Sequence, residues 1–118
     1  MIMKKFINDR RNLTSEMLEG LAAANKDILI LGKQRMIINR KLADARRVTV
    51  VAQGGSGNEP AVSGFVGEGM VDISVVGDIF AAPDPQACLE AIKTADRGRG
   101  VLYIVQNHAG DMLTGDMT

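Results

Sequence analysis

The sequence is poor in aromatic residues: tryptophan is absent, and phenylalanine and tyrosine together account for 3% of the 118 residues. A single cysteine, Cys88, excludes both a disulfide framework and a cysteine-based metal cluster. No apolar run reaches the length of a bilayer span and no signal peptide is recognisable, so we expect a cytoplasmic protein without a membrane partner. Apolar residues nevertheless make up 46% of the chain. This composition predicts one folded domain with close packing between helices and a sheet.

Charge is balanced over the whole chain but uneven along it. Residues 1–47 hold eleven of the fourteen Lys and Arg residues with five acidic ones, whereas residues 48–118 hold three basic and nine acidic residues. A basic arm for nucleic acid is one interpretation, but aromatic stacking residues and a recognition motif are lacking. We therefore expect no nucleic-acid partner, and favour a basic surface that docks against an acidic one within the chain or between subunits.

Strand and helix signals alternate along the chain. Helices are predicted after the hydroxyl cap at Thr14, from Glu59 to Met70, and after the cap Asp84-Pro85. Buried strands are predicted at 48–52, 71–76 and 101–105, because their apolar residues are consecutive rather than alternating. Short apolar runs at 28–31 and 36–38 predict either two strands or a strand and a turn. This pattern indicates one α/β domain over residues 1–118, with a mainly parallel sheet and helices on its faces.

Three loops follow the predicted buried strands, at 54–59, 77–83 and 106–111, and right-handed crossovers would place them on one edge of the sheet. The first loop is a glycine turn, Gly54–Gly57, before the helix predicted from Glu59. Such a turn can offer amide donors and the positive end of a helix dipole to an anion or a polar oxygen. No Gly-Lys-Ser/Thr follows it, which excludes a Walker A loop. A tight connection without a ligand is the alternative.

Asp111 is the strongest single candidate for chemistry, because a carboxylate on a strand-end loop can bind a hydroxyl or take its proton. A helix N-cap is its alternative role. His108, the only histidine, is close to Asp111 but has no recognisable nucleophile beside it, and we interpret it as solvated. Cys88 and the seven methionines are interpreted as packing residues, so no metal site is predicted.

Four segments, in order, resemble the N-terminal part of the ketone-binding subunit of dihydroxyacetone kinase: KKFINDRRNLTSEMLEGLAAAN, GGSGNEPAVSGFVGEGM, GDIFAAPDPQACLEAIK and NHAGDMLTGDM. The resemblance extends over essentially the whole chain and implies the first lobe of such a subunit. It implies that the chain binds a small keto-alcohol such as dihydroxyacetone and forms a homodimer. It also implies that the chain binds no cofactor, since the nucleotide belongs to a partner subunit or domain.

The resemblance also implies the substrate-binding residues, which are Gly55, Ser56, Gly57, Asn58, Gln106 and Asp111. Asp111 matches the family aspartate that contacts the substrate hydroxyl, and we expect any catalytic role to fall on it. Asn58 stands where the family has an acid–base histidine, and an amide cannot transfer a proton near neutral pH. Gln106 stands where the family has a lysine, and Ala82 where it often has a serine.

The resemblance further implies a second lobe, with a histidine that captures the ketone covalently, which this sequence does not contain. We therefore expect the chain by itself to be catalytically impaired and to act, if it does, with another lobe or subunit. A non-catalytic ligand-binding or regulatory paralogue is the first alternative. A truncated product without a present function is the second.

Overall fold

The computed structural model describes residues 3–118 as a five-stranded sheet with three α-helices. The helices are α1 (Leu13–Ala24), α2 (Pro85–Ala95) and α3 (Ala109–Met117), and the strands are β1 (Leu29–Leu31), β2 (Met36–Asn39), β3 (Thr49–Ser56), β4 (Ile73–Ile79) and β5 (Val101–Val105). Single 3-10 turns occur at Arg10–Asn12, Leu42–Asp44 and Ser63–Phe65. Within residues 3–118, none of the helices combines the length and the apolar character needed to cross a membrane.

The sheet is mixed, with strand order β1-β2-β4-β3-β5. The pairs β3–β4 and β3–β5 are parallel, whereas β1–β2 and β2–β4 are antiparallel. The predicted α/β class is confirmed. The prediction of a mainly parallel sheet is confirmed only in part, because two of the four strand pairs are parallel. The reason lies in the connection between β1 and β2, where the amide of Met36 donates to Lys33 O at 3.2 Å. A link this short joins only antiparallel neighbours, because a parallel crossover needs a dozen or more residues.

Helices pack on both faces of the sheet, as predicted. On one face, Leu18 of α1 packs in a cluster with Ile37 and Ala52. On the other face, Cys88 of α2 packs in a cluster with Val51. Val51 and Ala52 are adjacent in β3 and both fully buried, because successive side chains of a strand point to opposite faces. Burial on both faces explains why this strand has consecutive apolar residues.

The helix starts differ from one another in their capping. The predicted cap of α2 is confirmed, because the Asp84 carboxylate accepts a bond from the amide of Gln86 at 3.0 Å. The predicted hydroxyl cap of α1 is wrong, because Thr14 lies inside that helix. Its Oγ1 is instead 3.1 Å from Ser56 Oγ, so the side chain joins α1 to the end of β3.

Two further predictions are corrected by the sheet. The glycine turn is not a turn after the strand, because β3 continues through Gly54 and Gly55 to Ser56, with a register shift against β4. The helix predicted from Glu59 to Met70 is absent, and one 3-10 turn at Ser63–Phe65 stands in that segment. Four glycines in 57–69 explain this, since each loses more backbone entropy in a helix than alanine does.

Strand β5 is half exposed rather than buried. It lies at the edge of the sheet, and its residues alternate between partly buried and exposed. Leu102 and Ile104 are 54% and 44% exposed, whereas Tyr103 packs against the cluster under α2. An apolar run therefore predicted the strand correctly but overstated its burial, because burial on the second face depends on which elements cover it.

Candidate functional site

A cavity of about 270 Å³ lies where β3, β4 and β5 end. The three loops that the sequence places on one edge all contribute to its wall, which consists of Gly55, Asn58, Phe80, Ala81, Ala82, Gln106, His108, Gly110 and Asp111. This is the position at which open α/β sheets bind ligands, at the carboxyl ends of parallel strands. The cavity is slightly smaller than the roughly 300–1,000 Å³ of drug-sized ligand sites, so it suits a ligand of few atoms.

Gly55 allows the first two loops to approach each other at the cavity wall. A Cβ at this position would lie 2.8 Å from Ala81 O and 2.9 Å from Ala81 N, which leaves no room for any side chain. The approach is fixed by a main-chain bond, since the amide of Phe80 donates to Ser56 O at 2.7 Å. Phe80 has a left-handed backbone with φ of 49°, and its side chain is 78% exposed. The role of this glycine is therefore close backbone contact.

Ser56 and Gly57 do not line the cavity. Ser56 is fully buried, and its hydroxyl donates to Gly77 O at 3.0 Å, which joins the ends of β3 and β4. The amide of Gly57 donates to the Glu59 carboxylate at 3.1 and 3.2 Å, so an intramolecular acceptor already occupies this predicted ligand donor. Without a helix after the loop, the expected helix dipole is also missing here. Of the predicted glycine turn, Gly54–Gly57, Gly55 is therefore the one residue that lines the cavity.

Two amide side chains stand in the wall where the resemblance implies a histidine and a lysine. Asn58 is exposed at the rim of the cavity. The side-chain amide of Gln106 lies over Gly54, where a Cβ would be 2.8 Å from Gln106 Cδ. Both amides can donate and accept hydrogen bonds, and both are neutral. This part of the wall can therefore bind hydroxyl and carbonyl oxygens but supplies neither a cation nor a proton.

Asp111 supplies the carboxylate of the cavity. It lies in the first turn of α3, is 5% exposed, and its Oδ1 is buried without a hydrogen-bond partner among residues 3–118. Burial raises the pKa of Asp111, and the charge of His108 acts in the opposite direction. His108 Nδ1 is 3.7 Å from Asp111 Oδ2, but the His108 side chain is 77% exposed. The alternative role of Asp111 as an N-cap does not apply, because His108 holds that position.

A raised pKa on a poorly solvated carboxylate is the property expected of a hydrogen-bond acceptor or general base for a ligand hydroxyl. Within residues 3–118, no group of three or more His, Cys, Asp or Glu side chains is placed to hold a metal ion. The chemistry that the cavity offers is therefore the carboxylate of Asp111, the imidazole of His108 and the neutral amides of Asn58 and Gln106. That set fits a small neutral molecule with hydroxyl and carbonyl oxygens.

The sequence interpretation missed Gln53, which lies directly before the glycines. This residue is fully buried in β3, and its Nε2 donates to the main-chain oxygen of Asp111 at 2.8 Å. The available signal was a glutamine at an inward position of a buried strand, where polar side chains need a specific partner. Ala81 was also missed, because its contribution is main-chain contact and no residue type indicates that.

Three comparisons with known proteins agree on one family. Residues 19–118 match the family model described as the Dak1 domain. The dihydroxyacetone-binding subunit DhaK of a PTS-dependent dihydroxyacetone kinase from Lactococcus lactis is 45% identical over 114 residues, which cover 97% of this chain and 34% of that protein. The chain spans about a third of the length of the DhaK relatives it matches.

Solved structures support the same assignment. The crystal structure of the dihydroxyacetone kinase of C. freundii superposes with a TM-score of 0.89 at 36% identity, covering 98% of this chain and 22% of that one. The solved structure of the dihydroxyacetone kinase operon co-activator Dha-DhaQ superposes with a TM-score of 0.79 at 31% identity, over 86% of this chain and 31% of that one. The same fold therefore occurs in a kinase and in an operon co-activator.

Proposed function

This chain belongs to the Dak1 domain family, and on that basis we propose that it binds a small keto-alcohol of the dihydroxyacetone kind without phosphorylating it unaided. The observation that carries the proposal is the placement of Asp111 beside neutral amides in a cavity of about 270 Å³. Hydroxyl groups of the ligand donate to the Asp111 carboxylate, and Asn58 and Gln106 bind its remaining oxygens. Because Gly55 has no side chain, the main chain of β3 and that of Ala81 lie in contact at the cavity wall.

Turnover requires more than this cavity supplies. Asn58 cannot relay a proton, and general acid–base steps are worth roughly 10²–10⁴-fold in rate. In this proposal a separate nucleotide-binding subunit or domain carries the phosphoryl donor, and the chain forms homodimers in the cytoplasm. Binding is non-covalent. For a ligand with six non-hydrogen atoms, we expect a Kd of about 1 mM, or about −4 kcal/mol, which is well within the limit for small ligands.

A titration with dihydroxyacetone followed by amide NMR tests the binding proposal. We expect shifts confined to the three loops around the cavity, and saturation in the millimolar range. Asp111→Asn removes an ionised acceptor and is expected to raise Kd about tenfold, because hydrogen bonds to charged groups contribute roughly 1.5–3 kcal/mol. Asp116→Asn is the matched control, since it removes a carboxylate from the exposed side of the same helix. An absence of shifts at saturating ligand would contradict the proposal, as would shifts located elsewhere.

A regulatory role is the second candidate, and the similarity to the operon co-activator favours it. Asn58 in place of the family histidine is compatible with this role, because a sensor needs binding but no proton transfer. Phosphorylation assays with a nucleotide-binding kinase subunit separate the two candidates. Turnover that depends on this chain supports the kinase role. Ketone binding without turnover supports the regulatory one, and clear turnover by the chain alone would contradict the proposed impairment.

A further inference from the structure

Helix α3, whose first turn supplies Asp111 to the cavity, is attached to its surroundings by two buried polar side chains. Gln53 Nε2 donates to Asp111 O at 2.8 Å from strand β3. Thr114 Oγ1 donates to Pro83 O at 3.1 Å, which joins the same helix to the loop at 77–83. Gln53 is fully buried and Thr114 is 6% exposed, and neither residue lines the cavity. Each of these two side chains donates to a main-chain oxygen of a residue near the cavity, Asp111 for Gln53 and Pro83 for Thr114.

Packing alone does not explain a glutamine at this position. Gln53 lies on the same face of β3 as Val51, which is in the apolar cluster, so an aliphatic side chain would fit the pattern of the strand. The glutamine instead leaves its Oε1 buried without a partner among the described residues. A buried polar atom without a hydrogen bond is costly. The Nε2 atom of the same side chain makes one hydrogen bond, to the main-chain oxygen of Asp111.

We propose that Gln53 is a positioning residue for Asp111, holding the first turn of α3 at the depth that places the carboxylate in the cavity wall. The carbonyl oxygen of Asp111 has two lone pairs, so it can accept this bond in addition to a helical one. Thr114 attaches the following turn of the same helix to the neighbouring loop. The proposal rests on the proposed function for the role of the cavity, but the positioning itself is a property of the ligand-free protein.

Thr49 provides a matched comparison within the same strand. It lies on the same face of β3 as Gln53 and is also fully buried. Its Oγ1 donates to the main-chain oxygen of Ala95 at 2.8 Å, at the end of α2. Both residues therefore make one buried bond from β3 to a helix carbonyl. Only the bond of Gln53 reaches a helix that lines the cavity.

The test compares Gln53→Met and Thr49→Val, each of which removes the donor while keeping a side chain of similar size. Three quantities are measured by NMR: hydrogen exchange of the amides in the first turns of α3, the titration of the Asp111 carboxyl carbon without ligand, and Kd for dihydroxyacetone. For Gln53→Met we expect faster exchange in α3, a shifted Asp111 titration, and a Kd about tenfold higher, a factor equal to about 1.4 kcal/mol. Thr49→Val should lower overall stability without any of these local changes.

The ligand-free readouts separate the two hypotheses. If the wild-type chain binds no ketone but Gln53→Met still shifts the Asp111 titration, the proposed function is wrong and the positioning role stands. If exchange and titration are the same in Gln53→Met and the wild type, the positioning role is refuted. If Gln53→Met does not fold, Thr114→Val removes the second attachment and is expected to shift the same Asp111 titration. An unchanged titration in that variant would also refute the proposal.

Discussion

The carboxylate of Asp72 is the most fully buried charge among the described residues. Substitution of its partner Arg47 tests how much this ion pair contributes to the free energy of unfolding. The Asp72 side chain is 0% exposed and Arg47 is 45% exposed. Arg47 donates two bonds to the carboxylate, at 2.7 and 2.8 Å. Asn39 Nδ2 donates at 3.1 Å and the amide of Val50 at 2.9 Å. The carboxylate therefore joins three segments at the end of the sheet opposite the cavity.

Arg47→Met removes the charge and two of the four donors but keeps the aliphatic stem. Breaking a buried ion pair by removing one partner typically costs about 3–5 kcal/mol. Two features reduce that figure here: Arg47 is partly solvated, and Asp72 keeps its bonds from Asn39 and Val50. We therefore expect a loss of about 2–3 kcal/mol near pH 7. With a urea m-value of about 1–3 kcal/mol/M, this loss lowers the unfolding midpoint by about 0.7–3 M.

The effect should depend on pH in a defined direction. Burial alone would raise the pKa of Asp72, but the bonds from Arg47, Val50 and Asn39 and the Arg47 charge outweigh it, so the pKa is lowered. A lowered folded-state pKa gives stability that is present above the ordinary aspartate value and lost as pH falls through the folded value. In Arg47→Met we expect the pKa of Asp72 to rise, because the bonds and the charge of Arg47 that lower it are gone. The stability difference between the wild type and Arg47→Met should therefore be smaller at about pH 3 than at about pH 7.

Urea unfolding followed by far-UV circular dichroism measures this difference, since the chain contains no tryptophan for fluorescence. Lys41→Met is the control, because the Lys41–Glu68 pair has a similar length of 2.9 Å but both side chains are largely exposed. We expect no measurable change in that variant. A loss in Arg47→Met as small as that of the control would refute the assigned role of the buried pair. A loss that is the same at both pH values would refute its ionic origin.

Two further predictions concern the cavity. The double variant Asn58→His, Gln106→Lys introduces the residue types that the resemblance implies at these positions. It should lower Kd for dihydroxyacetone about tenfold, because charge-assisted bonds are roughly twice as strong as neutral ones. Unchanged affinity in NMR titrations would show that the wall does not bind the ketone. Gly55→Ala places a Cβ 2.8 Å from Ala81 O, so we expect a loss of about 1–3 kcal/mol in urea unfolding together with weaker ketone binding. Gly20→Ala, where a Cβ meets nothing within 4 Å, should be neutral or stabilising in α1, and equal effects of the two glycine variants would contradict the contact proposed for Gly55.

Local signals predicted the elements that depend on neighbouring residues. The start of α2 followed from Asp84-Pro85, because a carboxylate cap and a proline act within one turn. The strand at 48–52 followed from consecutive apolar residues. Both elements are confirmed, although β3 runs on to Ser56. The helix from Glu59 was predicted on a proline start and fails, because the glycines that follow make a helix there too costly in entropy.

The candidate site shows the same division. Sequence placed three loops on one edge of a sheet and selected Gly55, Asn58, Gln106 and Asp111, all of which line one cavity. It also selected Ser56 and Gly57, whose polar groups bond to Gly77 and Glu59 instead. The type of a residue indicates what its side chain can bind. Which partner it finds depends on distances that arise only when β3, β4 and their loops are assembled.

By itself, the sequence determined the α/β class, the order of the five strands along the chain, and the family, because these depend on local pattern and on motifs in order. Tertiary structure alone decided the mixed pairing of the sheet, the exposed face of β5 and the burial of Asp111, since each depends on elements distant in sequence. It also revealed the bond between Gln53 and Asp111, which are 58 positions apart. The physical reason is that hydrogen bonds and desolvation act over a few ångströms, and only the folded chain determines which residues come that close.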